Sequence, residues 1–293
     1  QKVIIPGTIV DAIVVSEEPE KYHRQTWIEY NSPVLAGHQK IPLDRIKSVK
    51  LDEKKIIGRR SAMELIPNAV VNMGIGIPEW VAAVAAEEGI GDQLTLTVEA
   101  GPTGGIPAPG LSFGAAINPW AIIDQTSQFD FYDGGGLDIT FLGLAQTNQK
   151  GDVNVSKFGP KIAGAGGFIN ITQNAKKTVY CGTFTAGGLE IDVKDGKLVI
   201  VKEGRSKKFV KAVEHVTFSG AYAQEKGQPV LYITERAVFE LTDQGVTLIE
   251  IAPGVDLEKD ILALMDFKPV VSENLKLMDE KIFRPEKMGL IIK

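Results

Sequence analysis

No stretch of this chain constrains its fold more than Ala69 to Val98. Ala69-Val70-Val71-Asn72-Met73 reads as a short buried strand and Gly74-Ile75-Gly76-Ile77 as a tight turn. Pro78-Glu79 then opens a helix, with proline at the first helical position and an acid in the first turn. The helix WVAAVAAEE stops at Gly89, and Leu94-Thr95-Leu96-Thr97-Val98 supplies a second strand. Strand, turn, helix and strand in that order form a βαβ-like unit. Such a unit implies parallel pairing, because parallel neighbours need a crossover of about that length.

The rest of the chain extends this sheet. Leu137 to Leu144 and Thr178 to Thr183 are largely apolar strand patterns. Leu189 to Val193 and Leu198 to Lys202 flank Lys194-Asp195-Gly196-Lys197, whose Asp-Gly pair predicts a hairpin. Val230 to Thr234, Ala237 to Leu241 and Val246 to Ile251 continue the strands, and Asp256 is the expected N-cap of the helix DLEKDILALM. The expected fold is a three-layer α/β/α open sheet, mixed in direction, with an antiparallel hairpin portion. A length of 293 residues fits one large domain or two small ones. Residues 1–50 look like a separate piece, a connector or the end of a preceding domain. They show a short β pattern at Thr8 to Val15, a charged stretch at Glu17 to Arg24, and no clear period over 25–50. From Leu51 the pattern changes, and LDEKKIIGRRSAMEL predicts an amphipathic helix with Ile56, Ile57, Met63 and Leu65 among charges.

Composition excludes several classes of function. A formal net charge of −5 carries no overall basic footprint for nucleic acid. One cysteine, Cys181, rules out an intrachain disulfide framework and fits a reducing, cytoplasmic compartment. His23, His38 and His215 lack metal-ligand spacing, so no metal site is expected. The longest uncharged run, Ala100 to Ile123, is long enough for a membrane span, yet nine of its 24 residues are Gly or Pro. It reads instead as a loop system that avoids charge.

That run follows the residue of greatest chemical interest. Glu99 stands where a buried strand ends, and ligands of open α/β sheets bind at the carboxyl ends of strands. No charged residue follows it until Asp124, so no cation next in sequence neutralises it. A surface acid capping a turn would look the same from position alone. Seventeen of the 31 glycines fall between Glu99 and Glu190. Among them Gly164-Ala165-Gly166-Gly167-Phe168 could aim backbone N–H groups at a developing negative charge, as could Gly74-Ile75-Gly76 before its helix. A plain turn or a phosphate cradle are rival readings. His215 falls in a strand pattern, Val213 to Phe218, and reads as a sheet histidine. Cys181 reads as a small core residue. The seven Lys and Arg of residues 194–211 read as a solvated face, with an anion-binding patch as the alternative.

Five strings taken together resemble a known family: NMGIGIPEWVAAVAAEEG (72–89), TVEAGPTGGIPAPGLSFGAAINP (97–119), FYDGGGLDITFLGLAQ (131–146), GDVNVSKFG (151–159) and AGAGGFINITQNAKKTVYCGTFTAGG (163–188). In this order they are similar to the carboxyl-terminal half of class I CoA-transferases, most of all the propionate or acetate CoA-transferase group. The likeness runs over about residues 1–270. It implies that Glu99, in Glu99-Ala100-Gly101, is the nucleophile, passing through an acyl-glutamyl anhydride and a glutamyl-CoA thioester. It further implies oxyanion and substrate contacts at Ile75, Gly101, Gly166 and Gly167, and less directly at Asn154. By the same resemblance there is no permanently bound cofactor, and coenzyme A and acyl-CoA are substrates together with short-chain carboxylic acids.

Elementary chemistry agrees with that mechanism. A carboxylate nucleophile ionises at neutral pH with no histidine beside it, since model Glu has a pKa of about 4.3. Its reactive intermediates need shelter from water, which an uncharged loop system provides. The family carries an amino-terminal half that these residues do not match. The chain is therefore expected to act with that half, fused upstream or as a separate subunit, and as a homo-oligomer. Acyl-CoA hydrolysis and a non-catalytic ligand-binding subunit are the competing functions.

Overall fold

The computed structural model describes residues 5–22, 31–42, 50–108 and 110–292. In chain order its main elements are α1 (Glu53–Ala62), β1 (Val70–Met73), α2 (Glu79–Glu88), β2 (Thr95–Thr97), β3 (Pro102–Thr103), β4 (Ala121–Ile122) and α3 (Gln125–Asp133). They continue with β5 (Ile139–Gly143), α4 (Phe168–Asn174), β6 (Thr178–Cys181), β7 (Glu190–Lys194), β8 (Lys197–Lys202) and α5 (Gly220–Glu225). The last are β9 (Val230–Ile233), β10 (Ala237–Thr242), β11 (Gly245–Ile251), α6 (Leu257–Asp260) and β12 (Val270–Leu277).

The first helix crossover forms as its punctuation predicts. Pro78 precedes α2, and Gly89 ends it in the left-handed conformation at φ 77°. β1 and β2 then pair in parallel, with Val71 opposite Leu96. Ten strands make one sheet in the order β12-β11-β10-β9-β6-β5-β1-β2-β3-β4. Its centre, β9-β6-β5-β1-β2, is parallel throughout. Antiparallel strands flank it on both sides, β10 and β11 at one end and β3 and β4 at the other. The Asp195-Gly196 turn closes the β7–β8 hairpin, with both residues at positive φ.

Side-chain alternation divides each central strand between two cores. Val71, Met73, Ile139, Phe141, Val179, Cys181, Leu231 and Ile233 meet Ile56, Ile57, Val81 and Val84 from α1 and α2. Leu142, Tyr180, Val230 and Tyr232 meet Tyr132, Phe168 and Ile171 from α3 and α4. The result is the expected three layers, helices on both faces of a mixed sheet.

Four local expectations are corrected. α1 is not amphipathic: Lys55 through Ala62 are all buried, because the segment after β12 lies over its outer side. Arg59, with no exposed surface, donates to the carbonyls of Ile282, Arg284 and Glu286 at 3.2, 2.5 and 2.7 Å. Thr8 to Val15 forms no strand; after a turn at Gly7–Ile9 the chain runs without a β partner among the described residues, and Ile13 and Val14 are exposed. The helix expected after Asp256 lasts one turn, although Asp256 does cap it by accepting from the Lys259 amide at 2.8 Å. Of the basic residues 194–211, Lys208 is buried, and desolvation lowers its pKa to about 8.

Parts of the expected connector, residues 1–4, 23–30 and 43–49, lie outside the described residues. The piece between the last two is anchored: Asn118 exchanges two hydrogen bonds with the Ile41 backbone, at 2.9 and 2.8 Å.

Arg59→Leu should cost about 3 kcal/mol in urea unfolding, since it leaves several inward carbonyls without a charged donor. Residues 279–292 should then become sensitive to protease. An unchanged midpoint with that segment still protected would contradict the role given to Arg59.

Candidate active site

Parallel strands end on one rim of the sheet. In chain order the central strands read 2-1-3-4-5 across the sheet, so the connections leaving β1 and β5 run in opposite directions. A crevice opens where they diverge, at the carboxyl ends of β1 and β5. Glu99 follows the carboxyl end of β2, next to β1, and Ile75 follows that of β1. Gly166 and Gly167 begin α4, which leads into β6. A crossover helix runs opposite to its strands, so its first residues also lie at this rim.

A tight turn aims Glu99. The Gly101 amide donates to Val98 O at 2.9 Å, and the Val98 amide to Pro102 O at 3.0 Å, which makes Val98 to Gly101 the bend between β2 and β3. Gly101 has φ 122°, and a Cβ on it would stand 2.0 Å from the Ile123 carbonyl oxygen. Only glycine fits there, so the E-x-G spacing is a geometric requirement.

Glu99 is half-buried, and its Oε2 is buried with no hydrogen-bond partner among the described residues. Burial raises its pKa above the ordinary carboxylate value, while its own backbone N–H and the Asn72 side chain act in the opposite sense. The sequence argument needed only the ordinary value. The fold instead works against ionisation, and part of the surrounding polar structure works to restore it.

That polar structure was not anticipated. Asn72, fully buried on β1, donates through Nδ2 to Tyr132 Oη at 3.3 Å. Tyr132 Oη donates to Thr97 Oγ1 at 2.9 Å, and Thr97 to Val71 O at 3.0 Å. Thr140 Oγ1 on β5 lies 3.3 Å from Asn72 Oδ1. Gln128, one turn before Tyr132 on α3, is also buried, and its Nε2 has no partner among the described residues. The one available signal was Asn72 itself, a polar residue inside the apolar string AVVNM.

The other expected residues are placed unequally. Ile75 is 54% exposed on its loop; the flanking Gly74 and Gly76 amides are engaged, by Phe141 O at 2.8 Å and by the Glu79 carboxylate at 2.9 Å. A Cβ at Gly167 would meet Phe129 at 2.8 Å, so α3 packs against Gly167 through Phe129. A Cβ at Gly166 would point into open space. Asn154 is fully buried, and its side chain is occupied within its own arch. It donates to Gln146 Oε1 at 2.7 Å and Lys157 O at 2.8 Å, and accepts from the Ser156 and Lys157 amides at 3.1 and 3.2 Å.

His215 lies in a bend rather than the expected strand, with Nδ1 2.7 Å from Ser156 Oγ. Ser156 O in turn accepts the Ala163 and Gly164 amides at 2.9 and 3.0 Å, so this contact steadies the glycine loop. Cys181 is buried beside Ser61, its thiol pushed up to about 12 by burial, which leaves it unreactive.

Two substitutions test this geometry. Because the native Glu99 pKa is raised, the carboxyl contributes its stability fully below the unfolded value of about 4.3, and that contribution is lost as pH rises through the native value. Glu99→Gln should therefore melt higher than the parent at pH 7, with the difference closing near pH 4; a variant that melts lower at pH 7 would show that burial does not strain this carboxylate. Gly101→Ala should cost at least about 2 kcal/mol, and a Tm equal to the parent's would mean that the turn relaxes freely.

No protein-family model matches the chain. Among characterised proteins it is 49% identical over 295 residues to the acetate CoA-transferase YdiF of Escherichia coli K12, covering 100% of this chain and 54% of that protein. It is also 49% identical over 291 residues to the caffeate CoA-transferase of Acetobacterium woodii, covering 98% and 55%. Among solved structures, the acyl-CoA transferase YdiF apoenzyme of Escherichia coli O157:H7 superposes with a TM-score of 0.86 at 47% identity, over 99% of this chain and 54% of that one. The chain thus spans about half the length of the relatives it matches. In sequence and fold the chain is thus similar to about half of each of these CoA-transferases.

Proposed function

We propose that this chain carries the nucleophile of a CoA-transferase that moves coenzyme A between a short-chain acyl-CoA and a free carboxylate of the acetate or propionate class. One observation carries the proposal: Glu99, on a turn that only glycine can close, has one oxygen buried and without a hydrogen-bond partner among the described residues, at the rim where ligands of such sheets bind. Support comes from relatives named acetate CoA-transferase and caffeate CoA-transferase, and from a similar solved acyl-CoA transferase described as a thioester complex with CoA.

In the proposed cycle a Glu99 oxygen adds to the thioester carbonyl, the C–S bond breaks, and coenzyme A leaves as thiolate. The thiolate then adds to the glutamyl carbonyl of the anhydride, freeing the first carboxylate and leaving a glutamyl-CoA thioester. An incoming carboxylate reverses both steps, so Glu99 ends as it began. Each addition builds an oxyanion, for which backbone N–H groups at Gly166, Gly167 and Ile75 are the proposed donors. Gly101 sets the angle of the nucleophile. Asn154 is assigned the neighbouring arch, from which it would shape the substrate side. Burial serves the chemistry twice, because a poorly hydrated carboxylate is the stronger nucleophile and the anhydride must outlast water.

The remaining length of the relatives is assigned to a complementary half that completes the coenzyme A pocket, in a cytoplasmic homo-oligomer. No helix among the described residues is long and apolar enough to cross a membrane.

Incubation of the assembled enzyme with acetyl-CoA, followed by borohydride or hydroxylamine trapping and peptide mapping, should place the modification at residue 99. Glu99→Ala should abolish both the adduct and transfer, and Glu99→Asp should lose most of the rate, since retracting the carboxylate by one methylene misplaces it by about 1 Å, a displacement that can cost on the order of a hundredfold. Trapping at another residue, or coenzyme A release that needs no acceptor acid, would overturn the assignment.

A further inference from the structure

The hydrogen bonds beneath Glu99 have a direction, and a backbone carbonyl sets it. Thr97 Oγ1 donates to Val71 O at 3.0 Å, which commits its single proton. Toward Tyr132 Oη, 2.9 Å away, it can only accept, so the tyrosine proton is committed as well. Tyr132 Oη accepts in its turn from Asn72 Nδ2 at 3.3 Å. On the other side of the amide, Thr140 Oγ1 lies 3.3 Å from Asn72 Oδ1 and 3.4 Å from Asn72 O. The tyrosine end decides the amide's orientation, its NH2 group toward Tyr132 and its oxygen toward Thr140, where the hydroxyl can donate. Turned over, it would set its oxygen against a hydroxyl whose proton is already given away, at a position with no access to water.

We propose that Tyr132 is a positioning residue for the reaction assigned to Glu99, holding the Asn72 amide so that an N–H, rather than the carbonyl, faces the nucleophilic carboxylate. The inference rests on the functional reading above. Tyr132 touches neither substrate nor the reacting atoms; it acts through Asn72. Asn72 stands opposite Thr97 in the β1–β2 register, two residues before Glu99, so an N–H on that side supports the ionised carboxylate, whose Oε2 has no hydrogen-bond partner among the described residues. A carbonyl on that side would repel the same group. The position of Tyr132 suits the task, since its ring is fully buried and edge-on to Phe129 at 5.9 Å, so the hydroxyl has little freedom to wander.

The test is single-turnover acylation of Glu99 by acetyl-CoA in the assembled enzyme. Tyr132→Phe keeps the ring and removes only the hydroxyl. It should slow acylation at saturating acyl-CoA by on the order of ten- to a hundredfold, with the half-saturating concentration nearly unchanged, and it should move the acid limb of the pH–rate profile to higher pH. Thr97→Val, which cuts the chain at its anchor, should behave in the same way, whereas Thr97→Ser, which keeps the hydroxyl, should restore the parent profile. A Tyr132→Phe enzyme with the parent rate and an unmoved acid limb overturns the inference. So does a slower enzyme whose acid limb is unmoved and whose only other change is a lower Tm, because that is the mark of a loosened core. If the parent enzyme itself forms neither an anhydride nor a coenzyme A thioester on Glu99, the functional assignment falls and the inference with it, which tells the two failures apart.

Discussion

Parallel pairing of β1 with β2 and β5 obliges these strands to finish on the same rim, and the rest of the molecule is arranged around that obligation. Helices must return along both faces, so both faces need apolar cover, and one continuous layer of strands ends up between two separate cores. The rim is the only place in such a stack where backbone can leave the sheet without burying unpaired N–H and C=O groups. The glycine-rich loops and Glu99 all lie there. The site therefore follows from the direction in which the strands run.

Along that rim, stability and reactivity pull against each other. The fold spends free energy holding a carboxyl group where water reaches it poorly, then returns part of it through the Glu99 amide and Asn72. The Asn72 amide is bonded to Tyr132 and Thr140, and Tyr132 in turn to Thr97, so the three come from a helix and two different strands. Proteins commonly store such local strain at the positions they use chemically, with the surrounding packing making up the difference.

Legibility in the sequence followed how far each feature reaches along the chain. Pro78 and Gly89 announce α2, and Asp195-Gly196 announces the β7–β8 hairpin, because each is a local backbone requirement with its own residue preference. Glu99 stood out in the sequence by its place at a strand end before a long uncharged run, whereas the close approach of the Ile123 carbonyl to Gly101 shows only in the fold. α3 was missed because its inward face is Gln128 and Tyr132, whose polar ends hide the helical period that apolar residues would have shown. The error at α1 has a related origin. Arg59 and Arg60 look solvent-facing by type, and their bonds to the distant segment 281–286 and to Glu250 cannot be read from their neighbours in sequence. The Asn72–Tyr132–Thr97 chain links three points that no local pattern connects.

The grip of Arg59 on the backbone of residues 281–286 also bears on how the molecule is made. While a ribosome is still adding those residues, α1 has no outer cover and its guanidinium has none of these carbonyls to hold. The layer that backs the whole sheet can close only after some 220 further residues have emerged. The nascent chain should thus remain pliable over this layer until residues 281–286 have emerged, and then lock in a single event.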